Sequence, residues 1–158
     1  MARRTILIAA LALVSCEKPQ TTGLPVTAAE AARIAEGAEA NFTKGDVNAV
    51  MAQYAKDAVM IDAASPQPSR DRNIQTGWAK TFVSMQPADY RVIDRQIQLL
   101  CDDAFISTGI ETFTVTAGAA RPTVSARFTD VFQRQRDGNW KIVNEHVSMP
   151  PQQGTAVQ

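Results

Sequence analysis

The stretch RFTDVFQRQRDGNWKIVNEHVSMP, Arg127 to Pro150, decides the fold. Asp137-Gly138 is a strong hairpin signal, because both residues tolerate the positive φ that a tight turn needs. The flanking residues alternate in character, as strand residues pointing to opposite faces should. With a tight turn at Asp137-Gly138, Val131 falls opposite Asn144, Thr129 opposite His146 and Arg127 opposite Ser148. One face then carries Arg127, Thr129, Val131, Trp140, Ile142, Asn144, His146 and Ser148. The other carries Phe128, Asp130, Phe132, Arg134, Lys141, Val143, Glu145 and Val147. The first face grades from apolar near the turn to polar away from it, as a pocket wall does between floor and mouth. His146, the chain's only histidine, is expected to point into that pocket. A bulge in either strand would exchange the two sets.

Working outward, Asp89–Cys101, Ala104–Ala117, Thr123–Arg136 and Asn139–Met149 read as long antiparallel strands. Asp102-Asp103, the GAARP segment and Asp137-Gly138 supply the turns. Before Pro87 the period is helical. Thr27-Ala-Ala-Glu30 is a capping box that opens a helix with Ala31, Ile34, Ala38 and Phe42 on its buried side. Gly45 fits its stop and Asp46 caps a second helix, in which Val47, Val50, Met51 and Tyr54 share one face. Asp57–Asp62 reads as a short strand. A third helix follows from about Arg70 to Met85, with Ile74, Trp78 and Phe82 spaced by one turn. Segregated helices and strands make the class α+β.

The ends are of another kind. Arg3 and Arg4 precede an apolar run, Thr5 to Val14, of signal-peptide length, roughly ten residues. That is short of the ~20 residues a spanning helix needs. Leu13 to Cys16, LVSC, resembles a bacterial lipobox, which implies cleavage before Cys16 and lipidation of Cys16. Residues 1–15 are then a signal peptide, 16–26 a lipidated cysteine and tether, 27–150 one domain and 151–158 a disordered tail. The expected place is the cell envelope, on the periplasmic face of the outer membrane where the cell has one. Membrane contact would be through the anchor only. Cys101 has no partner in the mature chain and reads as a small buried residue. One histidine and one remaining cysteine argue against a zinc site, so no metal and no cofactor is expected. Sixteen basic and sixteen acidic residues cancel, and they are scattered. Without a basic stripe, nucleic acid is a poor partner.

The segments KGDVNAVMAQYAKDAVMIDA, Lys44 to Ala63, and RFTDVFQRQRDGNWKIVNEHVS, Arg127 to Ser148, resemble the nuclear transport factor 2-like (NTF2-like) superfamily. The resemblance is closest to its SnoaL-like and DUF4440-type bacterial branch and spans roughly Thr27 to Pro150. It implies a cone, in which three N-terminal helices pack against a curved antiparallel sheet around a hydrophobic pocket. Members include isomerases, cyclases and dehydratases as well as noncatalytic binding or assembly modules, so the fold does not settle function. Asp62 matches the catalytic aspartate of ketosteroid-isomerase-like members, where a carboxylate at a pocket mouth can move a proton beside a carbonyl. The isomerase tyrosine is replaced by Ala38, which puts steroid isomerisation in doubt.

Asp62 and His146 are the candidate catalytic residues. Asp62 could equally be a strand-end cap for the following loop. Tyr54, Trp78, Arg127, Thr129, Trp140, Asn144 and Ser148 are the candidate ligand-binding residues, with Arg127 free to clamp an anion or pair with an acid. Two functions stand side by side. One is an envelope-anchored protein that binds a small apolar or aromatic molecule bearing a carbonyl or carboxylate, with a cofactor-free isomerase, cyclase or dehydratase activity as its enzymatic form. The other is a noncatalytic homodimeric module that associates through a sheet face bearing Phe128, Phe132, Val143 and Val147.

Overall fold

The computed structural model describes residues 23–65 and 67–150. The signal-peptide, lipidation and tail readings lie outside or at the margin of these residues. The elements run α1 (Ala28–Glu39), α2 (Val47–Met51), β1 (Tyr54–Ile61), α3 (Arg72–Ser84), β2 (Ala88–Cys101), β3 (Ala104–Thr114), β4 (Thr123–Arg134) and β5 (Trp140–Ser148).

The caps act where the sequence places them. The Thr27 hydroxyl accepts from the Glu30 N–H at 3.2 Å, and an Asp46 carboxylate oxygen accepts from the Asn48 N–H at 2.8 Å. Each satisfies a helix-end donor that has no partner within its own helix. Gly45, at φ +67°, makes the reversal between the two helices. Two details differ from expectation. The second helix stops at Met51, and Tyr54 opens β1 instead of closing the helix. On α3 the buried face is Gln75, Ala79 and Phe82, while Ile74 is 58% exposed. Gln75 is satisfied there because its amide nitrogen donates to the Ala58 carbonyl at 2.8 Å.

The sheet has five strands in the order β1-β5-β4-β3-β2. It is mixed, since β1 runs parallel to β5, where the sequence suggests an antiparallel sheet. In β2, Asp89 and Asp94 take φ of 55°, and the pairing with β3 shifts around both. Such bulges bend a strand and increase its twist, which curves the sheet around the helices. The Arg95 guanidinium, next to the second bulge, ties the curl to α1 through Glu39 at 2.6 Å. The core lies between α1, α3 and the concave face, and rings fill much of it. Phe105 stacks on Phe132 at 4.8 Å, and Trp78 stacks on Phe82 at 5.6 Å.

The terminal hairpin corrects the face assignment. Its loop is wider than the tight turn expected: the Gly138 N–H donates to the Gln135 carbonyl at 2.9 Å, and the Gln135 N–H donates to the Asn139 carbonyl at 2.7 Å. Gly138 takes φ +83°, so a turn is followed by a left-handed glycine. This offsets the pairing near the turn, where Phe132 faces Ile142. An extra residue at Val143 restores it, so that Val131 faces Asn144 and Thr129 faces His146 as expected. The pairs away from the turn are therefore right while the faces change partway along β5. Ile142 is buried at 1% exposure and Trp140 packs on Phe105 at 5.3 Å, both on the concave side. Beyond the bulge that side continues with Glu145 and Val147, and His146 is exposed on the convex side. The expectation that His146 points into the cone is overturned, because the bulge rotates β5 by one position.

The same bulge corrects the expected association face. Phe128 and Phe132 are 4% and 2% exposed, inside the core. Val147 lines a cavity on the concave side, and Val143 packs against the core. Cys101 is exposed and not buried.

Candidate functional site

A cavity of about 380 Å³ opens between α3, the end of β1 and the concave face of the sheet. Its walls are mainly rings and aliphatic chains, among them Phe42, Trp78, Phe82, Phe113 and Phe128. The polar groups among them are chiefly acids. Asp62, Glu111, Asp130 and Glu145 all line it, and no lysine, arginine or histidine is among its described lining residues.

Asp62 sits just past β1, at the cavity wall, and takes up the loop-capping role. One carboxylate oxygen accepts from the Ala64 N–H at 2.8 Å and caps the loop. The other accepts from the Trp78 indole N–H at 3.0 Å, which fixes the ring that walls the cavity. Glu111 on β3 accepts from the Tyr90 hydroxyl at 2.5 Å. Burial raises the Glu111 carboxyl above its ordinary value, against the opposing effect of that hydrogen bond.

The deepest acids form a pair. Asp130 on β4 and Glu145 on β5 are direct cross-strand partners and are 7% and 3% exposed. The Tyr54 hydroxyl donates to Glu145 Oε2 at 2.7 Å. Among the described residues, Asp130 Oδ1 and Glu145 Oε1 have no hydrogen-bond partner. Like charges directly opposite in a sheet repel, and burial penalises each charge further. Burial pushes the Glu145 carboxyl up to about 8, with Glu111 and Asp62 adding to the effect. Asp130 is raised well above its ordinary value by burial and then by Glu145. The pair therefore holds a proton near neutral pH and titrates as a unit. Burial beside these acids also raises the Tyr54 and Tyr90 hydroxyls, which stay protonated as donors.

Of the sequence candidates, Asp62 and Trp78 meet in the cavity and Tyr54 reaches its floor through Glu145. Trp140 lines a separate cavity of about 270 Å³ beside Gln53. Arg127 is exposed and its guanidinium donates to the Met149 carbonyl at 3.1 Å, so it clamps nothing in the cone. Thr129 pairs with Thr108 across the convex face at 3.0 Å. Asn144 and Ser148 are not among the residues that line the cavity, and neither is His146. The reason is common to this group: each occupies the alternate position to Phe128, Asp130, Glu145 or Val147. Sequence reasoning misses Asp130, Glu145, Glu111 and Tyr90. A signal for the first two exists, since two acids face each other within a run of Phe and Val, where a plain core face has none.

Among solved structures, a protein from Xanthomonas campestris assigned as a calcium/calmodulin dependent protein kinase II association domain is 29% identical, with 84% of this chain and 95% of that one covered at TM-score 0.73. An NTF2-like protein of unknown function from Pseudomonas putida KT2440 is 18% identical, covering 77% of this chain and 85% of that one at TM-score 0.64. A ketosteroid isomerase-like protein from Erwinia carotovora atroseptica SCRI1043 is 15% identical, covering 75% and 92% at TM-score 0.62. The last two establish the fold alone. No curated protein matches the sequence. The cone-shaped α+β architecture and the sequence agree on one assignment: the SnoaL-like domain profile matches residues 31–152, and the chain belongs to that family.

Proposed function

We propose that the domain binds a small apolar or aromatic molecule in the cavity between α3 and the sheet, with the molecule's polar end against Asp130 and Glu145. The observation that carries this reading is the buried acid pair at the floor of a ring-lined cavity, with an unpartnered oxygen on each acid. An apolar cavity with a few convergent polar groups and shifted acids is the usual form of a binding site. A carboxylate-bearing ligand is disfavoured, because four acids and no basic side chain are among the described residues that line the space. The chemistry available is proton transfer without a cofactor. A carboxyl that titrates near neutral pH can give or take a proton in the bound state, which suits an isomerase, cyclase or dehydratase. Trp78, held by Asp62, supplies a ring against the ligand's apolar body.

The test is binding of Nile red, a neutral apolar dye, to the wild type and to Ala126→Phe. Ala126 is 1% exposed and lines the cavity, so a ring there fills it. Fluorescence enhancement by the wild type and its loss in the variant, with circular dichroism unchanged, is expected. Equal enhancement by both proteins removes the reading. In this reading the protein works at the cell envelope, held by acyl chains on Cys16. Cys16→Ser should move it from the detergent phase to the aqueous phase of a detergent partition, and wild-type protein found in the aqueous phase removes the anchor.

A second reading, a homodimeric module, draws on the convex face. Ile93 pairs with Ile110 there and Ile106 with Val131. Ile93 is 48% exposed. An apolar row of this kind suits self-association and is compatible with a ligand in the cone.

A further inference from the structure

We infer that the ligand of this cavity is a cation, an ammonium group on an aromatic or other apolar body, seated with the ammonium between Asp130, Glu145 and Glu111. This rests on the small-molecule reading of the cavity and names the ligand's chemical class.

Among the described residues, four acids and no basic side chain line the space. Arg95 offsets part of the charge on Asp130, but its hydrogen bonds go to other groups. Arg95, beneath the same face, bonds Glu39 at 2.6 Å and Ser107 at 2.9 Å. Asp130 Oδ1 and Glu145 Oε1 are buried acceptors with no donor among the described residues. One shared proton can serve one of them, and an ammonium group, with three N–H donors, can serve several at once. Buried charge is tolerated when it is paired and hydrogen-bonded. The surrounding walls also favour a cation. Trp78, Tyr90, Phe42, Phe82, Phe113 and Phe128 present rings to the cavity, and ring faces attract cations. The Tyr54 and Tyr90 hydroxyls already donate to Glu145 and Glu111, so they orient those acids as acceptors instead of offering a hydrogen bond to a ligand oxygen.

The experiment is isothermal titration calorimetry at pH 7.5 on the full chain with three probes of one shape: 2-(1-naphthyl)ethylamine, 2-(1-naphthyl)ethanol and 1-naphthylacetate. The amine should bind at least tenfold more tightly than the alcohol, and the acetate should not bind. Asp130→Asn and, separately, Asp62→Asn keep the shape and lower the negative charge. Asp130→Asn should weaken the amine at least tenfold and leave the alcohol within twofold. Asp62→Asn should weaken it less, because both Asp62 oxygens are already engaged, by the Ala64 N–H and the Trp78 indole. Equal binding of amine and alcohol, or preference for the acetate, overturns the cation and leaves the cavity as a binding site. Failure of all three probes to bind overturns the inference, and if Nile red also fails, the small-molecule reading falls with it.

Discussion

Asp130 and Glu145 set how the protein responds to pH. Glu145 is held up to about 8 in the fold, from an ordinary value of 4.5. Between those values the folded state keeps a proton that the unfolded chain has released, so stability falls as pH rises through that window. A tenfold difference in proton affinity between the two states corresponds to about 1.4 kcal/mol, and coupling within the pair spreads the loss over both carboxyls. Asp130→Asn removes the facing charge. Its melting temperature should match the wild type near pH 4.5 and exceed it by several degrees at pH 8.5, read by thermal denaturation monitored by circular dichroism. A wild-type melting temperature that climbs between those pH values would contradict the paired burial. At this scale the sequence discloses Asp62 and Trp78, because a strand-end acid and a helical tryptophan announce themselves locally. It conceals Asp130 and Glu145, because their meaning depends on which face of a strand they occupy.

That face is decided by one element, the bulge at Val143. Helix starts are legible, since Thr27 and Asp46 act through neighbours two or three residues away. The cross-strand pairs of β4 and β5 away from the turn are legible too. What cannot be read is a wide loop and a bulge whose offsets cancel in the pairing and not in the faces. Neither leaves a local mark beyond Gly138. Deleting Val143 restores strict alternation along β5. It removes the extra residue between Ile142 and Asn144, so Ile142, Glu145 and Val147 stay on the concave side and His146 on the convex one. The deletion should lower stability by only about 1 kcal/mol, the order of one side chain's lost packing, since Val143 packs against the core and no polar group is turned inward. A cooperative melt within a few degrees of the wild type is expected, and loss of that melt would show that the bulge itself is needed to hold the strand.

At the scale of the whole molecule, the convex face carries the association reading. Ile93→Lys with Ile110→Lys places two charges in the middle of the isoleucine row, where a dimer interface would have to desolvate them. Sedimentation of residues 27–150 at micromolar concentration should give a dimer for the wild type and a monomer for the double variant. A wild-type monomer removes the module reading. Phe128 and Phe132 do not belong to that face, although the sequence suggests it. Phe and Val in a strand look the same whether the covering layer is a helix of the same chain or another copy.

The parallel seam joins Tyr54 to Ile142 and Ile61 to His146, and the Tyr54–Glu145 bond spans 91 residues. Long-range pairing of this kind slows folding, because a large loop must close before any contact offsets its entropy. β1 therefore waits through synthesis of nearly the whole domain for its neighbour. A nascent chain that ends before β5 has an unpaired first strand, an open cone and a Tyr54 with no acceptor, so it should stay protease-sensitive. Protection in pulse proteolysis of stalled chains should arrive in one step, once Ser148 has cleared the ribosome. The last strand to be made is thus the latch of the domain, and the cavity comes into being only when it closes.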